Sequence, residues 1–192
     1  MALSDRLMND LQVHLPGATV NAIRLELWNM LDDFCREGLA WRETIDVPLT
    51  AGVSEYAITP AGTDIVRVYS VDHATLDLTG TNHEFGTLAF YNTPTASDAL
   101  NSAYVVAALA PAITQGADVE SLVPEDMWSK HHRTFLKGTL GLMMAQPAKP
   151  YSNPQLAAFH WKGYLSDRAV ARRGADTREV AGAQLWRFPR FA

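Results

Sequence analysis

The hydrophobic period of the chain changes twice, and that double switch constrains the fold more than any other feature. Through residues 3–38 apolar side chains recur at three and four, the repeat of one helical face. Leu3, Leu7, Leu11 and Leu15 stand four apart, and Pro16-Gly17 breaks the pattern. Thr19 is placed to cap a second helix carrying Ile23, Leu27, Met30, Leu31 and Phe34. Gly38 falls just past its expected C-terminus, with Trp41 following. From Thr44 the period drops to two. In ETIDVPL, Ile45, Val47 and Leu49 alternate with Thr44, Asp46 and Pro48, which predicts a half-buried strand, and the proline suits a sheet edge. SEYAIT, DIVRVYSVD, FGTLAFYN and SAYVVAALA are further strand candidates; the last is alanine-rich enough to suit a helix as well. In DIVRVYSVD, Ile65, Arg67 and Tyr69 fall opposite Val66 and Val68.

The helical period returns at Pro124, suited to the first helical position, with Glu125 and Asp126 in the first turn. Met127, Trp128, His131, Phe135, Leu136, Leu140, Met143 and Met144 follow, and QPAKP closes the helix. Asn153-Pro154 opens another, with Leu156, Phe159, His160, Gly163, Tyr164 and Ala171 on one face and an end near Arg173-Gly174. Each helical pair is too small to stand alone, so the two are expected to pack together. The predicted fold class is α+β: a discontinuous α-helical bundle (1–43 and 121–173), an inserted small antiparallel β module (44–120) and an extended C-terminal arm (174–192).

Composition narrows what such a fold does. The 192 residues suffice for one good core, and the charged fraction of 19% lies below the usual ~25%, which suits large subunit contacts. The single cysteine, Cys35, excludes an intramolecular disulfide and reads as a buried, inert thiol. MALSDRLMND carries charge where a signal peptide is apolar, and no apolar run approaches the roughly 18 residues of a membrane span. The expectation is a soluble protein made in the cytoplasm, with no membrane partner. The net charge of -5 hides a polarity: of 16 Lys+Arg and 21 Asp+Glu, eleven and five lie from Glu125 onward, leaving five and sixteen before it. The first part is therefore near -11 and the last near +6. Such asymmetry suits head-to-tail pairing of subunits or a basic end on nucleic acid.

Catalytic signatures are missing from the sequence: no glycine-rich phosphate loop, no paired CxxC, no nucleophile elbow. His131-His132 is the only histidine cluster. Helical neighbours diverge by ~100°, so the two cannot share one metal, and at most one faces the core with Trp128 and Phe135. Asp32-Asp33 reads as a solvated helix face. The expectation is a non-enzyme with no catalytic residue, no metal ligand and no cofactor.

The end of the chain is different. AQLWRFPRFA sets Trp186, Phe188 and Phe191 among Arg187, Pro189 and Arg190, after Leu185. Aromatics and arginine are the types most enriched in binding hot spots, so Leu185 to Phe191 are the candidate partner-binding residues. The nineteen residues from Gly174 to Ala192 reach at most about 60 Å extended. The alternative is that these aromatics pack back on their own bundle.

Two stretches carry a resemblance: DDFCREGLAWRETIDVPLTAGVSEYAIT and LVPEDMWSKHHRTFLKGTLGLMMAQPAKPYSNPQLAAFHWKGYLSDRAVARR. With the helix-β-helix order, they resemble the head-to-tail adaptor (connector) proteins of tailed bacteriophages, a group that includes the podovirus tail tubular protein A and siphophage neck adaptor proteins. The resemblance implies a structural virion protein in the neck: a homo-oligomeric ring of about twelve subunits joining the portal protein to a tail or nozzle protein. DNA would pass through its channel without specific binding. Residues 174–192 would reach the portal and 44–120 would face the tail; residues 92–120 have no counterpart. The channel should then be lined from the acidic portion 1–124, with Arg168, Arg172 and Arg173 turned toward protein. A second reading is a nucleic-acid-binding module, with the basic C-terminal helices on phosphate and the arm's aromatics stacking bases.

Overall fold

The computed structural model describes residues 3–76, 78, 82–84, 86–112 and 123–180, with backbone alone for 3, 82–84 and 178–180. In chain order the elements are α1 (Leu3–His14), α2 (Val20–Gly38), β1 (Arg42–Pro48), β2 (Glu55–Ala57), β3 (Thr63–Asp72), β4 (Asn82–Glu84), β5 (Thr87–Ala89), β6 (Ser102–Pro111), α3 (Glu125–Met144) and α4 (Pro154–Val180). The fold is α+β.

The helices form where the period demands them. Leu7, Leu11 and Leu15 of the first repeat are essentially fully buried, as are Ile23, Leu27, Met30, Leu31 and Phe34 of the second. Gly17, at φ +82°, makes the turn between them, and the Thr19 hydroxyl accepts the Ala22 N–H at 3.3 Å, satisfying one orphan donor of the helix start. The end of α2 departs from expectation. Gly38 is its last helical residue, and Leu39 takes the left-handed cap at φ 49°, donating its N–H to Cys35 O. Burial explains the exchange: Leu39 packs with Ala108 and Ala175, whereas a glycine would leave that contact empty.

The main sheet is antiparallel in the order β1-β6-β3. Pro48 stands on the edge strand β1, opposite Ser102, where a missing N–H costs no ladder bond. The ambiguous alanine-rich segment is the central strand. Paired on both sides and, from Ala107 onward, buried on both faces, it uses Ala103, Ala107, Ala108 and Ala110 to let neighbouring layers come close; tertiary pairing overrides alanine's helix preference here. β3 does not keep the simple alternation, because its register against β6 shifts between Ile65 and Arg67 and again between Val68 and Ser70. A second antiparallel sheet, β2-β5-β4, has three residues per strand and buries Leu88. β4 carries no apolar alternation and was not expected.

One hydrophobic cluster runs from Leu7 and Leu27 in the helices through Val47 and Val105 to Leu88 and Phe90. Helices and both sheets therefore share a core among the described residues. In α3, Pro124 is the N-cap (φ -56°, ψ 144°) and not the first helical residue. Pro154 opens α4, and the Asn153 Oδ1 accepts the Leu156 N–H at 3.1 Å. The buried side of α4 carries Ala157, Tyr164 and Ala175, so the expected face is rotated: Leu156 and Phe159 point outward. The helix also continues seven residues beyond the expected stop. Gly174 is only mildly unfavourable in a helix, while Ala175 is buried and Asp176 pairs with Arg67 and Arg172. Gly174 to Val180 are thus helix, not arm.

Close helix packing depends on Gly138. A Cβ there would lie 2.4 Å from Met30 Cγ and 2.8 Å from Tyr164 Cδ2. Gly138→Ala should lower stability by about 1–3 kcal/mol through overpacking, despite alanine's better helix propensity. Gly174→Ala, with nothing within 4 Å of the new methyl, should instead stabilise by up to ~1 kcal/mol. Urea denaturation of the two variants checks the opposite signs.

Candidate interaction surface

Two of the long helices, α2 and α4, meet at a charged knot. Asp33 on α2 accepts two hydrogen bonds from Arg168 Nη1 on α4, at 2.8 and 2.7 Å. The Tyr164 hydroxyl donates to the same carboxylate at 2.5 Å. Burial, and then that bond, raise the phenol's pKa, so it stays a donor. Asp32 works separately: Arg36 donates to it at 2.7 Å and to Asp64 on β3 at 2.6 Å, tying α2 to the sheet. The Asp32-Asp33 pair is therefore two structural anchors and not a solvated face. Arg172 donates to Glu37 O at 3.1 Å and pairs with Asp176, while Arg173 bonds back to Ala169 O within its own exposed turn.

The two histidines part as helical geometry requires. His131 lies against Phe34 (ring centroids 4.9 Å) and Phe135 (6.0 Å). Burial, reinforced by Lys130, pulls its pKa down to about 4, so the ring is neutral near pH 7. His132 turns the other way and meets Asp10 of α1 at 2.9 Å, an intrachain partner. Cys35 is buried, and burial pushes its thiol up to about 12, leaving essentially no thiolate for nucleophilic work. Among the described residues no three His, Cys, Asp or Glu side chains gather as a metal site, and no helix is long and apolar enough to cross a membrane.

What the surface offers is contact area of two kinds. The outer side of α4 carries Leu156 (45% exposed), Phe159 (72%) and Val170 (56%). Gly163 and Ser166 lie between them at spacings of three and four, so an uncharged stripe runs along the outside of the helix. Near the start of α3, Arg6, Arg42, Lys130 and Arg133 line two neighbouring recesses. None of the four has an ion-pair partner among the described residues. No local pattern signals this gathering, because Arg6 and Arg42 come from elements far away along the chain. The predicted partner-binding residues Leu185, Trp186, Arg187, Phe188, Pro189, Arg190 and Phe191 lie outside the described residues.

No known protein-family model matches the chain, and no curated protein matches it either.

Two measurements test this electrostatic anatomy. Asp33→Ala removes the acceptor shared by Tyr164 and Arg168 and should cost about 3 kcal/mol, whereas Tyr164→Phe, which leaves the ion pair, should cost about 1–2. Equal losses in urea denaturation would show that the three do not act as described. His131 gives a pH signature. Its folded pKa of about 4 lies below its ordinary 6.5, so between these values the unfolded chain binds more protons. Its stabilising contribution is present above pH 6.5 and is lost as pH falls toward 4. From pH 7 to 4.5 the wild type should therefore lose about 1 kcal/mol more than His131→Leu, a value reduced for the ring's partial exposure.

Proposed function

We propose that this protein is a structural virion component, a head-tail adaptor whose copies form a ring joining the portal to the tail around the DNA channel. The observation that carries this reading is the second face of α4. A helix whose inner side is fully engaged and whose outer side still exposes Leu156, Phe159 and Val170 is equipped to pack against something outside its own chain. The charge split supports it: a half near -11 and a half near +6 are complementary when copies meet head to tail, the contact that closes into rings. Arg168 and Arg172 are spent on Asp33, Glu37 and Asp176, which suits a channel that lets phosphates slide. In this reading the ring has about twelve subunits, residues 185–191 anchor on the portal, and the sheets face the tail or nozzle protein. It performs no catalysis and works without a cofactor.

Native mass measurement and electron microscopy of the protein, alone and mixed with the portal protein of its phage, test the reading. A large discrete oligomer is expected, and Phe159→Asp should break it down. Deleting residues 183–192 should leave a folded protein that no longer binds portal, and Trp186→Ala should weaken attachment by about 2 kcal/mol. A monomer under every condition, with salt-dependent affinity for duplex DNA, would replace this reading with the nucleic-acid-binding one.

A further inference from the structure

Four cations without ion-pair partners frame the first turns of α3, while elsewhere cations such as Arg36, Lys137 and Arg168 are paired with carboxylates. Beside them lies a partly enclosed recess of about 250 Å³ where the end of α2, the start of α3 and the last turns of α4 converge. Leu39, Ala40, Val170, Ala171 and Ala175 give it apolar walls, and Gly174 opens onto it. Arg42, Lys130 and His131 supply its polar atoms. The Arg42 guanidinium is held in place over the Tyr69 ring, 3.9 Å from its centroid. Neither ring nitrogen of His131 has a hydrogen-bond partner among the described residues, and the ring lines the cavity. The carboxylates acting on His131 are Asp126, one turn before Lys130, and Asp167, which Lys137 neutralises. One wall is also held in a costly conformation, with Leu39 at φ 49°.

We propose that this recess is a docking site for an acidic peptide segment of a partner protein: one large apolar side chain fills the cavity, and its flanking carboxylates pair with Arg42 and Lys130. The inference rests on the recess alone and stands whether or not copies assemble as a ring. Size selects the occupant, because the volume suits one large side chain and falls below the ~300–1,000 Å³ usual for small-molecule sites. Charge selects its neighbours. This chain's own aromatic segment carries Arg187 and Arg190 and would be repelled by Arg42 and Lys130. Single-stranded nucleic acid fits poorly, since base stacking needs an exposed aromatic platform, the walls here are aliphatic, and Trp128 nearby is only 3% exposed. A seated side chain would offer the imidazole of His131 a backbone or side-chain polar partner.

Amide chemical shifts during titration with acetyl-Glu-Trp-Glu-amide provide the test. Shifts should concentrate at Leu39, Ala40 and residues 170–175, and binding should be about ten-fold tighter than for acetyl-Lys-Trp-Lys-amide at low salt. Gly174→Leu fills open space, with nothing within 4 Å of its Cβ; it should keep or raise Tm and abolish binding. Arg42→Gln combined with Lys130→Ala should remove the preference between the two peptides. The proposal is overturned by an absence of shifts at millimolar peptide, by equal binding of both peptides, or by a Gly174→Leu protein that still binds. Tighter binding of free indole-3-acetate at the same amides would make the recess a small-molecule site, and displacement of the peptide by duplex DNA would make it a nucleic-acid site. Either result also overturns the proposal.

Discussion

The bundle depends on a meeting of chain segments more than 130 residues apart. Tyr164 is fully buried, its ring lies on Phe34 at 6.3 Å between centroids, and its hydroxyl is fixed by Asp33. Without a polar partner that hydroxyl would cost free energy in the core; with Asp33 it sets the axial position of α4 on α2, since no other register brings donor to carboxylate. Arg168, one turn further along, holds the same carboxylate and neutralises it. Gly138 then decides how closely α3 approaches, because it faces Met30 and Tyr164 together. Apolar burial drives the association of these helices, and the knot selects one arrangement among the many that apolar stripes alone would accept.

The same contacts explain how the sheet is held. Arg36 spans Asp32 of its own helix and Asp64 of β3. On the other side Leu39, Ala108 and Ala175 form a small satellite cluster that joins the end of α2, the central strand and α4. The sheet is thereby clamped to helices from both ends of the described chain. One continuous core results, although the segment forming the sheets enters and leaves the helical part only once.

Period and punctuation carried most of the fold in the sequence. The extent of α1, the start of α2, the edge position of β1 and the start of α4 follow from the spacing of Leu7 and Leu11 and from Thr19, Pro48 and Asn153-Pro154, all local signals. What was not legible depends on distant partners. Nothing within SAYVVAALA separates strand from helix; its pairing with β1 and β3 does. Leu156 and Phe159 look like core residues in a helical window, and only the contacts of Tyr164 and Ala157 show that the buried side is the other one. Gly38 is the better cap by propensity, yet Leu39 takes the position because Ala108 and Ala175 reward its burial. The gathering of Arg6, Arg42, Lys130 and Arg133 brings together three separate regions of sequence, so no motif announces it. The candidate partner-binding residues 185–191 lie outside the described residues.

The longer α4 changes the mechanics expected of the arm. A segment free from Gly174 would have a reach of about 60 Å and would sample a wide volume before docking. With helix through Val180, the segment from Gly174 to Val180 instead belongs to the bundle. This end of the helix is held on both sides: Ala175 is buried, and Asp176 is tied to both Arg67 on the sheet and Arg172 one turn back. Tilting this end would require breaking the Arg67–Asp176 pair and uncovering Leu39, the residue that also walls the recess beside Arg42. The tilt of the end of α4 and the shape of the cationic recess are thus coupled through one small cluster, Leu39, Ala108 and Ala175.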